Sequence, residues 1–238
     1  MATTGNKNVK DKEQDSILEN PEVLQEKLIK TEDFLEKNKK VVIGAAVAIV
    51  LLIAGVFGYS SYINSQDEEA QKEMFQAVYY FEADSLNKAL KGDGNNRGFL
   101  DIIDDYGRTK AGNLAKFYVG NIYLKQGKYQ EAADILKDFS ASDILIQARA
   151  YSLVGDAYME LGDKSEAIRY YKKAVDHRPN KYFTPRYMMK LALAQELNGD
   201  AQAAIATYTQ LLEKYYDASE ANDAKKFKAK LEQQLASE

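Results

Sequence analysis

The sequence predicts an all-α protein: a single N-terminal transmembrane helix, then an α-solenoid of helix pairs closed by a C-terminal capping helix. Three observations predict it. No charged residue lies between Lys40 and Asp67, and about 20 apolar residues at ~1.5 Å rise cross the ~30 Å hydrocarbon core of a bilayer. The composition favours helix, with only three prolines and 17 tyrosines among abundant Ala, Leu, Lys, Glu and Gln. Finally, the turn glycines Gly127, Gly162 and Gly199 recur at 35 and 37 residues, an interval that marks stacked helix pairs.

Residues 1–40 form a head. Residues 1–15 are polar and nearly free of large apolar groups, so disorder is expected there. A juxtamembrane helix is expected over 21–40, with Pro21 at its first position and Leu24, Leu28, Thr31 and Leu35 at helical spacing. That helix either lies on the membrane or continues the anchor, or it serves as a docking site for a cytoplasmic or membrane partner.

The transmembrane helix is placed at 41–63. A cleaved signal peptide fits poorly, because about 40 residues precede the run and YSSYINSQ has no small-residue cleavage site. A soluble helix of this length would show a polar face, and Val41–Phe57 shows none. Lys27, Lys30, Lys37, Lys39 and Lys40 flank its N-terminal side, whereas Asp67, Glu68 and Glu69 precede the first basic residue beyond it, Lys72. Basic flanks stay in the cytoplasm. The expected location is therefore a bacterial inner membrane, single pass, with the N-terminus cytoplasmic and the body periplasmic.

Residues 64–112 read as a degenerate first helix pair. Ala70, Met74, Ala77, Val78 and Phe81 form one apolar stripe; Phe99, Ile102, Ile103 and Tyr106 form a shorter one after the GDGNN loop. Three repeats follow over 113–218. The middle one, ARAYSLVGDAYMELGDKSEAIRYYKKAVDHRPNK, places Tyr151, Gly155, Tyr158, Gly162, Ala167, Tyr171, Ala174 and Pro179 at the spacing of the tetratricopeptide repeat, which it resembles closely. Small Gly155 and Ala167 let two antiparallel helices approach, the tyrosines fill the gap, and Gly162 ends the first helix. Upstream, Gly120, Tyr123, Gly127, Ala132 and Leu136 take the same places, and Ser140–Asp143 reads as a turn and helix cap. Downstream, the repeat departs at Gln195, where an aromatic is expected. Ala221, Ala224, Phe227, Leu231 and Leu235 mark a capping helix within 219–238.

In the repeat family the first helix of each pair lines a concave groove that takes protein or peptide partners. Carried over by position, the resemblance implies Leu114, Phe117, Asn121 and Lys125 from the first repeat. The second repeat supplies Arg149, Ser152, Asp156 and Met159, and the third Arg186, Met189, Leu193 and Glu196. The family's carboxylate clamp is not implied: Phe117 replaces its lysine, and Leu153 stands where its second asparagine would be.

Other chemistry finds little purchase. With no cysteine and one histidine, His177, disulfides, thiol nucleophiles and multi-histidine metal sites are excluded within one copy. A net charge of −4 offers no overall basic face for nucleic acid. Asp101, Asp104 and Asp105 read as the polar side of a short helix, and GDGNNRG lacks the ligand alternation of a calcium loop. No phosphate loop, dinucleotide fingerprint or nucleophile elbow is present. No cofactor and no enzymatic activity are expected.

The head, the anchor, the helix pair leading into FLDIIDDYGRTKAGNLAKFYVGNIYLKQGKY and the repeats together resemble the ancillary SecYEG translocon subunit (YfgM-like) family over residues 20–220. That resemblance implies association with the Sec translocon and periplasmic chaperones, as an adaptor in protein export or envelope assembly. The alternative is a structural scaffold for envelope or cell-division complexes, self-associating as a homo-oligomer through its repeats.

Overall fold

The computed structural model describes residues 34–237, together with Gln25 and Thr31. The disorder expected over 1–15, and the helix expected from residue 21 as far as residue 33, fall outside the described residues apart from those two positions. The chain divides into two units, Met1–Tyr62 and Ile63–Glu238. Among the described residues every regular element is helical.

In the first unit, residues 34–37 are helical and stop at a turn at Asn38, whose side-chain amide donates to the Phe34 carbonyl at 2.9 Å. Helix α1, Lys39–Glu82, then begins. Its apolar stretch is unburied and long and apolar enough to cross a membrane. The span expected from the apolar run ends at residue 63, and α1 continues beyond it to Glu82 without a break. Nothing between Tyr62 and Ala70 is a helix breaker, because neither Gly nor Pro occurs there.

In the second unit, the last part of α1 buries Ala70, Met74 and Ala77 against α2 (Leu86–Lys91), α3 (Phe99–Tyr106) and α4 (Lys110–Lys125). Helix α2 has too few residues for periodicity to reveal; it forms because Ala89 and Leu90 are driven into this core. The loop before α3 is pinned by Asp93, whose carboxylate accepts from the Tyr80 hydroxyl at 2.5 Å and from the Asn95 and Asn96 amides at 2.9 and 2.7 Å. Asp101 accepts from the Gly98 amide at 3.0 Å, capping α3, and Asp105 pairs with Arg97. Two of the three clustered aspartates therefore have structural partners. Asp67 of α1 reaches the Ala111 amide at 2.7 Å and assists Thr109 in capping α4.

Three helix pairs follow: α4 with α5 (Tyr129–Lys137), α6 (Ile144–Glu160) with α7 (Lys164–Asp176), and α8 (Thr184–Leu197) with α9 (Ala201–Lys214). Asp143, Asp163 and Asp200 cap α6, α7 and α9 through their side chains. Helix α10 (Ala221–Ala236) covers α9 and buries Ala224 and Leu231 against Tyr208 and Leu211. Close approach within pairs depends on missing side chains: a Cβ on Gly155 would lie 2.6 Å from the Tyr171 ring, and one on Gly120 would lie 2.3 Å from Leu136.

The third repeat solves its packing differently. Tyr158 and Tyr170 stack at 5.7 Å between α6 and α7. The equivalent positions in α8 and α9 are Gln195 and Thr207, and the Thr207 hydroxyl donates to the Gln195 side-chain carbonyl at 2.7 Å. The departure from the aromatic pattern at Gln195 is thus half of a paired exchange of stacking for a hydrogen bond.

Candidate protein-binding groove

The first helices of the three pairs, α4, α6 and α8, share the walls of an open groove of about 660 Å³. Asn121, Leu124 and Lys125 come from α4, Leu153, Asp156 and Met159 from α6, and Lys190 and Leu193 from α8. The positions recur because i, i+3 and i+7 share one helical face. Leucine and methionine make the walls apolar, and polar groups gather at the centre.

That centre is a three-residue knot. Asp156 accepts from the Tyr171 hydroxyl at 2.7 Å and from the Lys190 ammonium at 2.8 and 2.6 Å. The ammonium also stands 5.9 Å from the Tyr171 ring centre. Burial, and then the neighbouring Asp156 charge, push the Tyr171 phenol well above its ordinary value, so it remains a donor across the physiological range. The knot ties α6, α7 and α8 together and leaves one positive and one negative group half-exposed to a ligand. At the α4 end, Lys125 pairs with Asp84 at 2.7 Å.

A second, smaller pocket of about 270 Å³ continues from Leu193 between α8, α9 and α10. Met189, Leu193, Tyr208 and Phe227 give it an apolar floor, and Glu196 meets Lys230 at 3.4 Å on its rim.

Of the groove residues expected from sequence, Asn121, Lys125, Asp156, Met159 and Leu193 line the main groove, and Met189 and Glu196 line the smaller pocket with Leu193. The rest are placed elsewhere. Phe117 is 9 % exposed and packs on Phe139 at 5.6 Å; Ser152 is 3 % exposed. Leu114 is half-buried between the cores of the first pair and the first repeat. Arg149 is exposed and covers the Phe117 ring at 5.7 Å, and Arg186 is exposed beside Glu220 at 3.8 Å.

The correction has a simple cause. Phe117 and Ser152 occupy equivalent repeat positions, and adjacent residues on a helix differ by about 100°. Advancing one residue exchanges buried Ser152 for groove-lining Leu153, and the equivalent in α8 is Lys190. In α4 that position is Tyr118, which stacks on Phe99 at 4.7 Å and is taken up by the first pair. Repeat position alone does not indicate Leu124, Tyr129, Leu153, Glu160, Tyr171 or Lys190; the i, i+3 spacing of Leu153 to Asp156 and of Lys190 to Leu193 is the available signal.

Comparison with known proteins agrees with this architecture. Residues 120–182 and 155–223 match a family model described as tetratricopeptide repeat, and residues 32–144 match one described as tetratricopeptide repeat-like domain. No curated protein sequence matches the chain significantly. Among solved structures, one of nearly identical TPR-like repeats from Podosopora anserina is similar at 14 % identity and a TM-score of 0.52, over 72 % of this chain and 89 % of that chain. The MamA protein aligns at 17 % identity and a TM-score of 0.49, over 71 % of this chain and 89 % of that chain. Likeness at 14 % identity speaks for the fold alone. The matched families are protein-interaction repeats, and no catalytic family is indicated. Tetratricopeptide repeat models match residues 120–223 and a repeat-like model matches residues 32–144, and three glycine-turned helix pairs share one groove, so the chain carries tetratricopeptide-type repeats.

Proposed function

We propose that this protein is a membrane-anchored adaptor whose α4–α6–α8 groove captures a segment of a partner protein, acting in protein export or envelope protein assembly beside the Sec translocon. The groove itself carries the reading. Apolar walls from Leu124, Leu153, Met159 and Leu193 surround the Asp156–Lys190 pair, a composition suited to a peptide that needs both burial and a few oriented polar contacts. The uncharged run and its lysine flank support a single pass through a bacterial inner membrane, N-terminus in the cytoplasm and repeats in the periplasm. Anchoring raises the local concentration of the groove around membrane partners, so modest affinity suffices. Periplasmic chaperones are the second class of partner this reading includes.

The test is crosslinking in native membranes of the unaltered chain and of a Leu193→Glu variant, followed by identification of the captured proteins. Leu193 is about half exposed, so the substitution places a charge on the groove wall without emptying the core. Translocon components captured by the native chain and reduced at least tenfold in the variant are expected. If those components are absent and other copies of the chain or envelope-synthesis proteins are recovered instead, the scaffold reading replaces this one. Protease added outside spheroplasts is expected to digest residues 67–238; an intact body would refute the orientation.

A further inference from the structure

One end of the repeat body is defined by a series of contacts. Asp67 bonds the Ala111 amide at 2.7 Å, Asn113 bonds the Ser140 carbonyl at 2.5 Å, and Ala148, Ala174 and Tyr187 share a buried cluster. Tyr151 meets His177 at 5.8 Å, and Arg186 meets Glu220 at 3.8 Å. The α3–α4, α5–α6, α7–α8 and α9–α10 loops therefore lie at the end where the chain enters the repeats. The opposite end is marked by the Lys125–Asp84 pair at 2.7 Å, near Tyr79.

Among these loops the one joining α7 to α8 is unlike its neighbours. From His177 to Phe183 there is no acidic residue, while Arg178 and Lys181 are both present. Tyr182 is 73 % exposed and Phe183 38 % exposed, and the Lys181 ammonium stands 5.3 Å from the Tyr182 ring centre. The aromatic pair is held outward by a fixed turn: the Asn180 side-chain oxygen accepts from the Tyr182 and Phe183 amides at 3.1 and 3.0 Å, and the Asn180 amide donates to buried Thr184 at 2.8 Å. By contrast, Tyr216 in the α9–α10 loop is followed by Asp217, and the α5–α6 loop carries Asp138 and Asp143.

We propose that the α7–α8 loop is a second membrane contact, with Tyr182 and Phe183 seated in the interfacial layer and Arg178 and Lys181 against anionic lipid phosphates. Amphipathic rings and long basic side chains favour that layer, where each keeps an apolar body down and a polar tip in water. The contact rests on the reading of residues 41–63 as a membrane span, because tethering supplies the local concentration that a single small loop needs. Its consequence is that the groove is held beside the bilayer by two points, not one.

The chain contains no tryptophan, so a single introduced one reports without background. The full chain carrying Tyr182→Trp is reconstituted in phosphatidylethanolamine–phosphatidylglycerol vesicles with lipids brominated near the headgroup end of the acyl chains. Tyr79→Trp, at the opposite end and 59 % exposed, is the reference. At least twofold stronger bromolipid quenching at 182 than at 79 is expected, falling when phosphatidylglycerol is left out or when Arg178→Gln and Lys181→Gln are combined. Equal quenching at the two positions in chain that resists carbonate extraction overturns the contact. A blue-shifted but unquenched 182 reporter also overturns it, because the loop then faces protein. Chain released by carbonate refutes the span, and this contact with it.

Discussion

Replacing Thr207 by valine and Gln195 by methionine, singly and together, tests whether the third repeat is held by an exchanged pair. Thr207 is 8 % exposed, and its hydroxyl has Gln195 as its partner at 2.7 Å. Thr207→Val keeps the shape, loses one hydrogen bond and leaves the Gln195 carbonyl to find another donor; a net loss of about 1 kcal/mol follows. Gln195→Met keeps length and strands the buried hydroxyl, again about 1 kcal/mol. The double variant strands neither group, so its loss should stay near 1 kcal/mol and not reach the additive ~2 kcal/mol. For a body of this size each kcal/mol moves Tm by roughly 2–4 °C. Thermal unfolding of the full chain in detergent, followed by far-UV circular dichroism, reads both quantities. Single-variant losses that add to within about 0.3 kcal/mol in the double variant would show that the two residues are not coupled, and the exchange argument would fall.

Two further outcomes follow from the packing and the loops. Gly155→Val places a β-branched side chain where even a Cβ would lie 2.6 Å from the Tyr171 ring; a loss of about 2 kcal/mol is expected, and an unchanged Tm would mean α6 and α7 separate freely. Asp93 should confer acid sensitivity. The Tyr80 hydroxyl, followed by the Asn96 and Asn95 groups, holds its carboxyl well below the ordinary 3.8. A depressed acid contributes fully above that ordinary value and loses its contribution as pH falls through the lower folded one. Tm of the native chain should therefore drop more steeply below about pH 4 than that of Asp93→Asn, and parallel acid limbs would exclude the network as the cause.

Particular residues show how far the chain can be read before folding. Gly155, Tyr158, Gly162, Ala167 and Tyr171 disclose a helix pair because each encodes a local need: close approach, gap filling or a turn. Gly127, Gly162 and Gly199 do adopt positive φ, where side chains with a Cβ are strained. The groove was only partly legible. Repeat position alone points to Asn121, Asp156 and Leu193, which line the groove, and equally to Phe117 and Ser152, whose face turns inward. A 100° step per residue is too fine for spacing to resolve when repeats are 35 and 37 residues apart.

By itself the sequence determined the all-helical class, the apolar run and the repeat period, since those depend on residue type at fixed separation along one chain. Tertiary structure alone decided which helical face opens into the groove, that Asp156 is shared by Tyr171 and Lys190, and that Asp67 caps a helix 44 residues away. The physical reason is common to all three. Each depends on the rotation of one packed helix against another, and that angle is set by the sum of many contacts and not by any local run of residues.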